Sequence, residues 1–110
     1  IELDAAYQWG MPHLMMGAYY AGRPRLLGGD PVRGLEHFER ARQISGGRLA
    51  LASLFEARYY AVQTLDEPLF ERRLEEVLET SPDALPEARL LNLIAREKAR
   101  ALLAAREDIF

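Results

Sequence analysis

His13 and His37 are the two histidines of this 110-residue chain, and imidazole is the side chain best suited to bind a metal or move a proton near neutral pH. A metal site would need both rings brought together with a carboxylate, and no His-Glu-x-x-His spacing arranges that along one helix. The two fall on different expected helices, so packing or hydrogen bonding is the simpler role for each. The run Leu27-Gly28-Gly29-Asp30-Pro31 ahead of a helix has the outline of a phosphate cradle. Asp30, however, puts a negative charge where the phosphate would sit, and no lysine follows, so a turn and a helix cap is the better reading. Glu75-Glu76 and Glu107-Asp108 occupy adjacent positions, which do not converge on a helix. No Ser-His-Asp arrangement has support. With no cysteine in the chain, disulfides, thiolate zinc sites and a cysteine nucleophile are excluded. We expect no enzyme, no metal and no cofactor.

A second set of residues suits binding. Tyr7, Trp9, Met11, Met15, Met16, Tyr19 and Tyr20 cluster near the start, with Tyr59 and Tyr60 later. Most of these should be core. Yet the stretch Met11 to Ala21 is apolar almost all round, and such a helix is buried on every side or lines a cavity or interface. Methionines adapt their shape, and beside amphipathic tyrosines they suit a greasy ligand or partner. The surface of residues 7–20 is therefore expected to meet an apolar ligand, a protein partner or a second copy of the chain, and a homo-oligomer is expected.

The elements that must position these residues read as helices. Residues 2–8 look helical, with a break at Gly10. Pro12 fits a first turn, giving a helix from about Met11 to Ala21 that Gly22 and Pro24 end. Asp30 caps and Pro31 opens a helix with Val32, Leu35, Phe38, Ala41 and Ile44 on one face, which Gly46-Gly47 stops. A third helix, about Leu49 to Leu65, spreads Leu51, Leu54, Phe55, Tyr59 and Val62 broadly, as an element buried on two sides would. Asp66 caps a fourth, about Glu67 to Thr80, with Leu69, Phe70, Leu74, Val77 and Leu78 inward. After the turn at Ser81-Pro82-Asp83, Pro86 opens a last helix to about Arg106 bearing Leu90, Leu91, Ile94, Ala95, Leu102 and Leu103. Its polar residues Arg89, Arg96, Glu97, Arg100, Arg106 and Glu107 mark a solvated cap. No stretch alternates like a strand.

One spacing occurs twice. Gly17 precedes Tyr20 by three residues, and the following helix carries Gly34, Phe38 and Ala41; Ala57 precedes Tyr60 by three, and the following helix carries Phe70, Leu74 and Val77. Small residues let two antiparallel helices approach, and large ones fill the groove so made. This is the outline of a tetratricopeptide-type hairpin. The first copy is longer, the excess falling in an elaborated loop from Gly22 to Asp30. We therefore expect an all-α fold: TPR-like antiparallel helical hairpins, stacked as a fragment of a right-handed superhelix and closed by a C-terminal capping helix. Residues 1–110 would form a single helical-repeat domain, with Gly17, Phe38, Ala41, Ala57, Tyr60, Phe70, Leu74 and Val77 as structural anchors.

Composition narrows the function classes. A hydrophobic content of 49% rules out disorder, and a net charge of −3 gives no support for nucleic-acid binding. No apolar run approaches the ~20 residues of a membrane span. The start at Ile1, inside a helix-like stretch, suggests part of a longer protein, with any signal or anchor upstream.

The stretch Tyr7-Gln-Trp-Gly-Met-Pro-His-Leu-Met-Met-Gly-Ala-Tyr-Tyr-Ala21 resembles the T-component of TRAP transporters. Leu27-Gly-Gly-Asp-Pro31, His37-Phe-Glu-Arg-Ala41 and Ser45-Gly-Gly-Arg48 are similar to the next blocks of that family, in order. Leu69-Phe70 with Leu74 and Val77-Leu78 follows, and Leu91-Asn92, Ala95, Ala99, Leu102-Leu103 and Asp108-Ile-Phe110 resemble its C-terminal signature. The resemblance implies a helical, cryptic-repeat, periplasmic lipoprotein that associates with a periplasmic solute-binding protein. It further implies an apolar channel for hydrophobic ligands, carboxylated ones included, and brings no catalytic residues. Met11 departs from the family pattern, where a small residue is expected. The family's N-terminal half, with its lipidated cysteine, has no counterpart here, so contact with the membrane would come through an upstream anchor.

Two readings compete. One is a transport accessory that docks a solute-binding protein and holds or passes a hydrophobic small molecule. The other is a generic TPR-like adaptor with no small-molecule ligand, whose concave face would carry basic side chains such as Arg23, Arg25 and Arg58.

Overall fold

In a computed structural model, which describes residues 10–110, all regular structure among the described residues is helical. Helix α1 spans Met11–Ala21, α2 Pro31–Ser45, α3 Leu51–Phe55, α4 Glu67–Glu79, α5 Arg89–Ala104 and α6 Arg106–Ile109. Helix α3 continues directly into a wide π-helical turn, Glu56–Ala61. Short 3-10 turns lie at Arg25–Leu27, Pro82–Ala84 and Pro86–Ala88.

The helix boundaries follow local chemistry. Asp30 Oδ1 accepts from the backbone N–H of Arg33 at 3.2 Å, and Asp66 Oδ1 accepts from that of Leu69 at 3.1 Å. Each cap satisfies an amide that the first turn leaves without a partner. Pro31 and Pro68 occupy first-turn positions, where a missing N–H costs nothing. Gly46 and Gly47, at φ 66° and 77°, end α2 in the left-handed region that favours glycine.

Helices α1 and α2 approach most closely at their glycines. A Cβ on Gly17 would lie 2.5 Å from the Phe38 ring, and one on Gly34 would lie 2.8 Å from Ala21 Cβ and 2.9 Å from the Gly17 carbonyl oxygen. The third helix sits in the middle, touching α1, α2, α4 and α5. Around it the core gathers Leu14, Phe38, Leu49, Leu54, Phe70, Leu74 and Val77, all buried. The result is a slab of 36 × 35 × 16 Å, little thicker than one helix with its side chains.

Several expectations need correction. On α2 the buried stripe is Pro31, Gly34, Phe38, Ala41 and Ser45, while Val32 faces solvent. The close contact at Gly34 sets the rotation of the helix and turns Val32 outward. On α5 the inward residues are Asn92, Ala95 and Ala99, and Leu90 and Ile94 are exposed, because small side chains let α5 lie close to its neighbours. The expected last helix starts three residues late, after the Pro86–Ala88 turn, and breaks at Ala105 before α6. Its polar face is not all solvated: Arg96 Nη2 donates to the Leu78 carbonyl at 3.0 Å, and Arg106 Nη1 donates to Glu71 at 2.7 Å. Tyr60 is half-buried, since Ala57 and Ala61 take the core-facing positions of the wide turn. The stretch 2–8 lies outside the described residues.

Candidate functional site

An open groove of about 460 Å³ runs between the third helix and α5. Leu54, Phe55, Arg58 and Tyr59 form one wall, and Lys98, Ala101 and Leu102 the other. Phe55 and Tyr59 meet edge to face with centroids 5.5 Å apart, and the Arg58 guanidinium stands 5.3 Å over the Tyr59 ring. Apolar walls beside two cations suit a molecule with a greasy body and an anionic end.

The π-helical turn that carries Arg58 and Tyr59 is fixed from behind by Glu56, whose side chain is 1% exposed. Arg42 Nη2 donates to Glu56 Oε1 at 2.6 Å, and Arg73 Nε donates to Oε2 at 2.7 Å. Arg73 also pairs with Glu76. Burial works against the charge on Arg73, but the hydrogen bonds and charges of Glu56 and Glu76 outweigh it and raise its pKa. Helices α2, the third and α4 are thus joined at one carboxylate.

A second constellation lies at the α1–α2 contact. His13 Nδ1 and His37 Nδ1 are 3.0 Å apart, so one ring donates and the other accepts. Tyr20 stacks on His37 with centroids 5.8 Å apart and planes 9° from parallel. The Arg33 guanidinium lies 4.6 Å from the Tyr20 ring centroid, and that of Arg23 lies 4.4 Å from the Tyr19 centroid. Burial, then the charge on neighbouring His37 and Arg40, lowers the pKa of His13; burial and Arg33 lower that of His37, against a smaller opposing effect of Glu36. The two histidines come together, but among the described residues no cluster of three or more His, Cys, Asp or Glu could hold a metal ion.

Of the expected aromatic and methionine surface, Tyr7 and Trp9 lie outside the described residues. Met15 is 63% exposed and Tyr19 is also exposed, whereas Met11, Met16 and Tyr20 are half-buried. Tyr59, from the same set, lines the groove, whereas Met11, Met15, Met16, Tyr19 and Tyr20 do not. Gly17, Phe38, Ala41, Ala57, Phe70, Leu74 and Val77 are buried at helix contacts. Sequence reasoning missed Glu56 and Lys98. A lone acid between Phe55 and Ala57, in an otherwise apolar run, was the available sign that Glu56 must be paired.

A family model described as TRAP transporter T-component matches residues 1–110. The chain belongs to this family. A search of curated proteins finds no match. Membership in the TRAP transporter T-component family makes the chain an accessory component of a TRAP transport system. Among the described residues, no helix of this T-component is long and apolar enough to cross a membrane.

Proposed function

We propose that this T-component is a non-enzymatic periplasmic scaffold that docks the solute-binding protein of its TRAP system and holds a hydrophobic ligand in the groove between the third helix and α5. The observation that carries the reading is the groove itself: about 460 Å³, walled by Leu54, Phe55, Tyr59 and Leu102, with Arg58 and Lys98 beside it. That pairing favours an amphipathic carboxylate, since the tail gains by leaving water and the head meets two cations. The helical pairs are read as TPR-like hairpins within one domain, anchored at Gly17 and Phe38, with Ala41 beside them, and at Ala57, Tyr60, Phe70, Leu74 and Val77.

Calorimetric titration with dodecanoate and dodecanol tests the ligand reading. Dodecanoate should bind more tightly than dodecanol, Lys98→Glu should erase the difference, and Ala101→Trp should block the groove. No heat of binding with either compound sinks it. The generic adaptor alternative, with Arg58 contacting an acidic peptide, gains if a glutamate-rich peptide binds and both dodecyl compounds fail. Docking is tested by co-elution with the solute-binding protein, which Ala101→Trp should leave intact.

A further inference from the structure

The loop between α1 and α2 displays two leucines to solvent and holds them there. Leu26 is 98% exposed and Leu27 66%. A lone exposed leucine is ordinary, but two adjacent ones on an ordered tip imply something that covers them. The tip is built, not slack. The Leu27 and Gly29 amides donate to the Pro24 carbonyl at 2.9 and 3.0 Å, Gly28 N–H donates to Arg25 at 3.2 Å, and Asp30 N–H closes the loop on Tyr20 at 2.8 Å. A Cβ on Gly29 would fall 1.8 Å from the Arg23 carbonyl oxygen, so the crossing admits glycine alone.

We propose that this loop is a membrane-inserting prong that seats on an anionic lipid surface. Its residues supply the side-chain types that suit the successive layers of a bilayer. Leu26 and Leu27 form the apolar tip, Arg23 and Arg25 flank it, and Tyr19 and Tyr20 stand behind with the guanidinium groups of Arg23 and Arg33 over their rings. Leucines partition into the acyl region, arginines meet phosphates, and tyrosines favour the headgroup layer. The charge is locally reversed: residues 22–29 carry two arginines and no acid, in a chain of net charge −3. That sign points to an anionic partner. A second copy of the chain fits less well, because the apolar groove able to receive the leucines is itself flanked by Arg58 and Lys98. The inference is independent of what the groove binds.

Flotation with unilamellar vesicles tests it, using phosphatidylcholine alone or with about one-third phosphatidylglycerol. The parent chain should float with the anionic vesicles, and salt should weaken the association. Leu26→Asp with Leu27→Asp should reduce it at least about tenfold. Those side chains are exposed, so this variant should keep the parent's circular dichroism and melting temperature. Arg23→Glu with Arg25→Glu should remove the preference for anionic vesicles. Leu26→Trp should show a blue shift with vesicles beyond that of the parent, whose tryptophan is Trp9. Failure of the parent to float, or equal flotation of the double aspartate variant, overturns the proposal. So does a change of oligomeric state in that variant without vesicles, which would make the partner a protein.

Discussion

Asn92 on α5 reaches back 42 residues to the start of the third helix, where its Oδ1 accepts from the Ala50 backbone N–H at 2.8 Å. Its Nδ2 donates to the Arg48 carbonyl at 3.0 Å. One buried amide thus satisfies both a donor and an acceptor of the α2–α3 connection. In doing so it fixes how α5 lies against that connection.

Asn92→Ala leaves both backbone groups without that partner, and each buried unpaired group costs about 1–3 kcal/mol. We expect a loss of about 2–4 kcal/mol in urea unfolding, allowing for water reaching Arg48. An Asn92→Ala midpoint equal to the parent's would mean the two bonds carry no stability.

Glycine at 34 is required by backbone and not by a movable side chain. Gly34→Ala gains about 1 kcal/mol of helix propensity. Against that, the new methyl group meets the Gly17 carbonyl oxygen and the Ala21 amide at 2.9 Å. We expect a net loss of about 1–3 kcal/mol. Gly17→Ala meets the Phe38 ring instead, and combined with Phe38→Ala it should cost less than the sum of the two. Stabilisation by Gly34→Ala would refute the close approach.

Replacing Glu56 by Gln removes the charge between Arg42 and Arg73. Breaking a buried pair costs about 3–5 kcal/mol, but both guanidinium groups reach water, so about 2–3 kcal/mol is expected here. The same variant should loosen hydrogen-exchange protection at Arg58 and Tyr59. An unchanged exchange pattern would show that the π-helical turn holds its form without the carboxylate.

The histidine pair gives the fold a pH dependence of known sign. Both imidazoles have lowered pKa values in the fold, so the folded state disfavours their protonation. Their contribution to stability is complete above the unfolded value of about 6.5 and is lost as pH falls through the folded values. His37→Gln should flatten the curve on the acid side of about pH 6.5. A parent whose urea midpoint is level across that range would contradict this.

What was legible in the sequence was local. Asp30, Asp66, Gly46-Gly47 and Pro31 act within a turn of themselves, and the boundaries they imply are found within a residue or two. The meeting of His13 with His37, and of Glu56 with Arg42 and Arg73, depends on helices docking across long separations, for which no spacing rule exists. Val32, Leu90 and Ile94 look like core by period and face water, because small residues, not large ones, decide which side of α2 and α5 can come close. The groove needed Arg58, Tyr59 and Lys98 from two elements at once. Met15 and Tyr19 were readable as apolar residues in excess of one buried stripe, and they are exposed.

Counted as register, the wide turn at Glu56–Ala61 holds about one residue more than an α-helix over the same rise. Each residue rotates an α-helix by about 100°, so the surplus turns everything after it by that angle relative to everything before. Leu51 and Leu54 are set by one bearing, and Ala61 with the helix from Glu67 onward by another. Deleting one residue from 58–60 would give a plain α-helix with better local hydrogen bonding. It would also swing α4 by more than a quarter-turn out of its seat. The extra residue is a length standard, and the two halves of the chain keep their mutual orientation only while it is there.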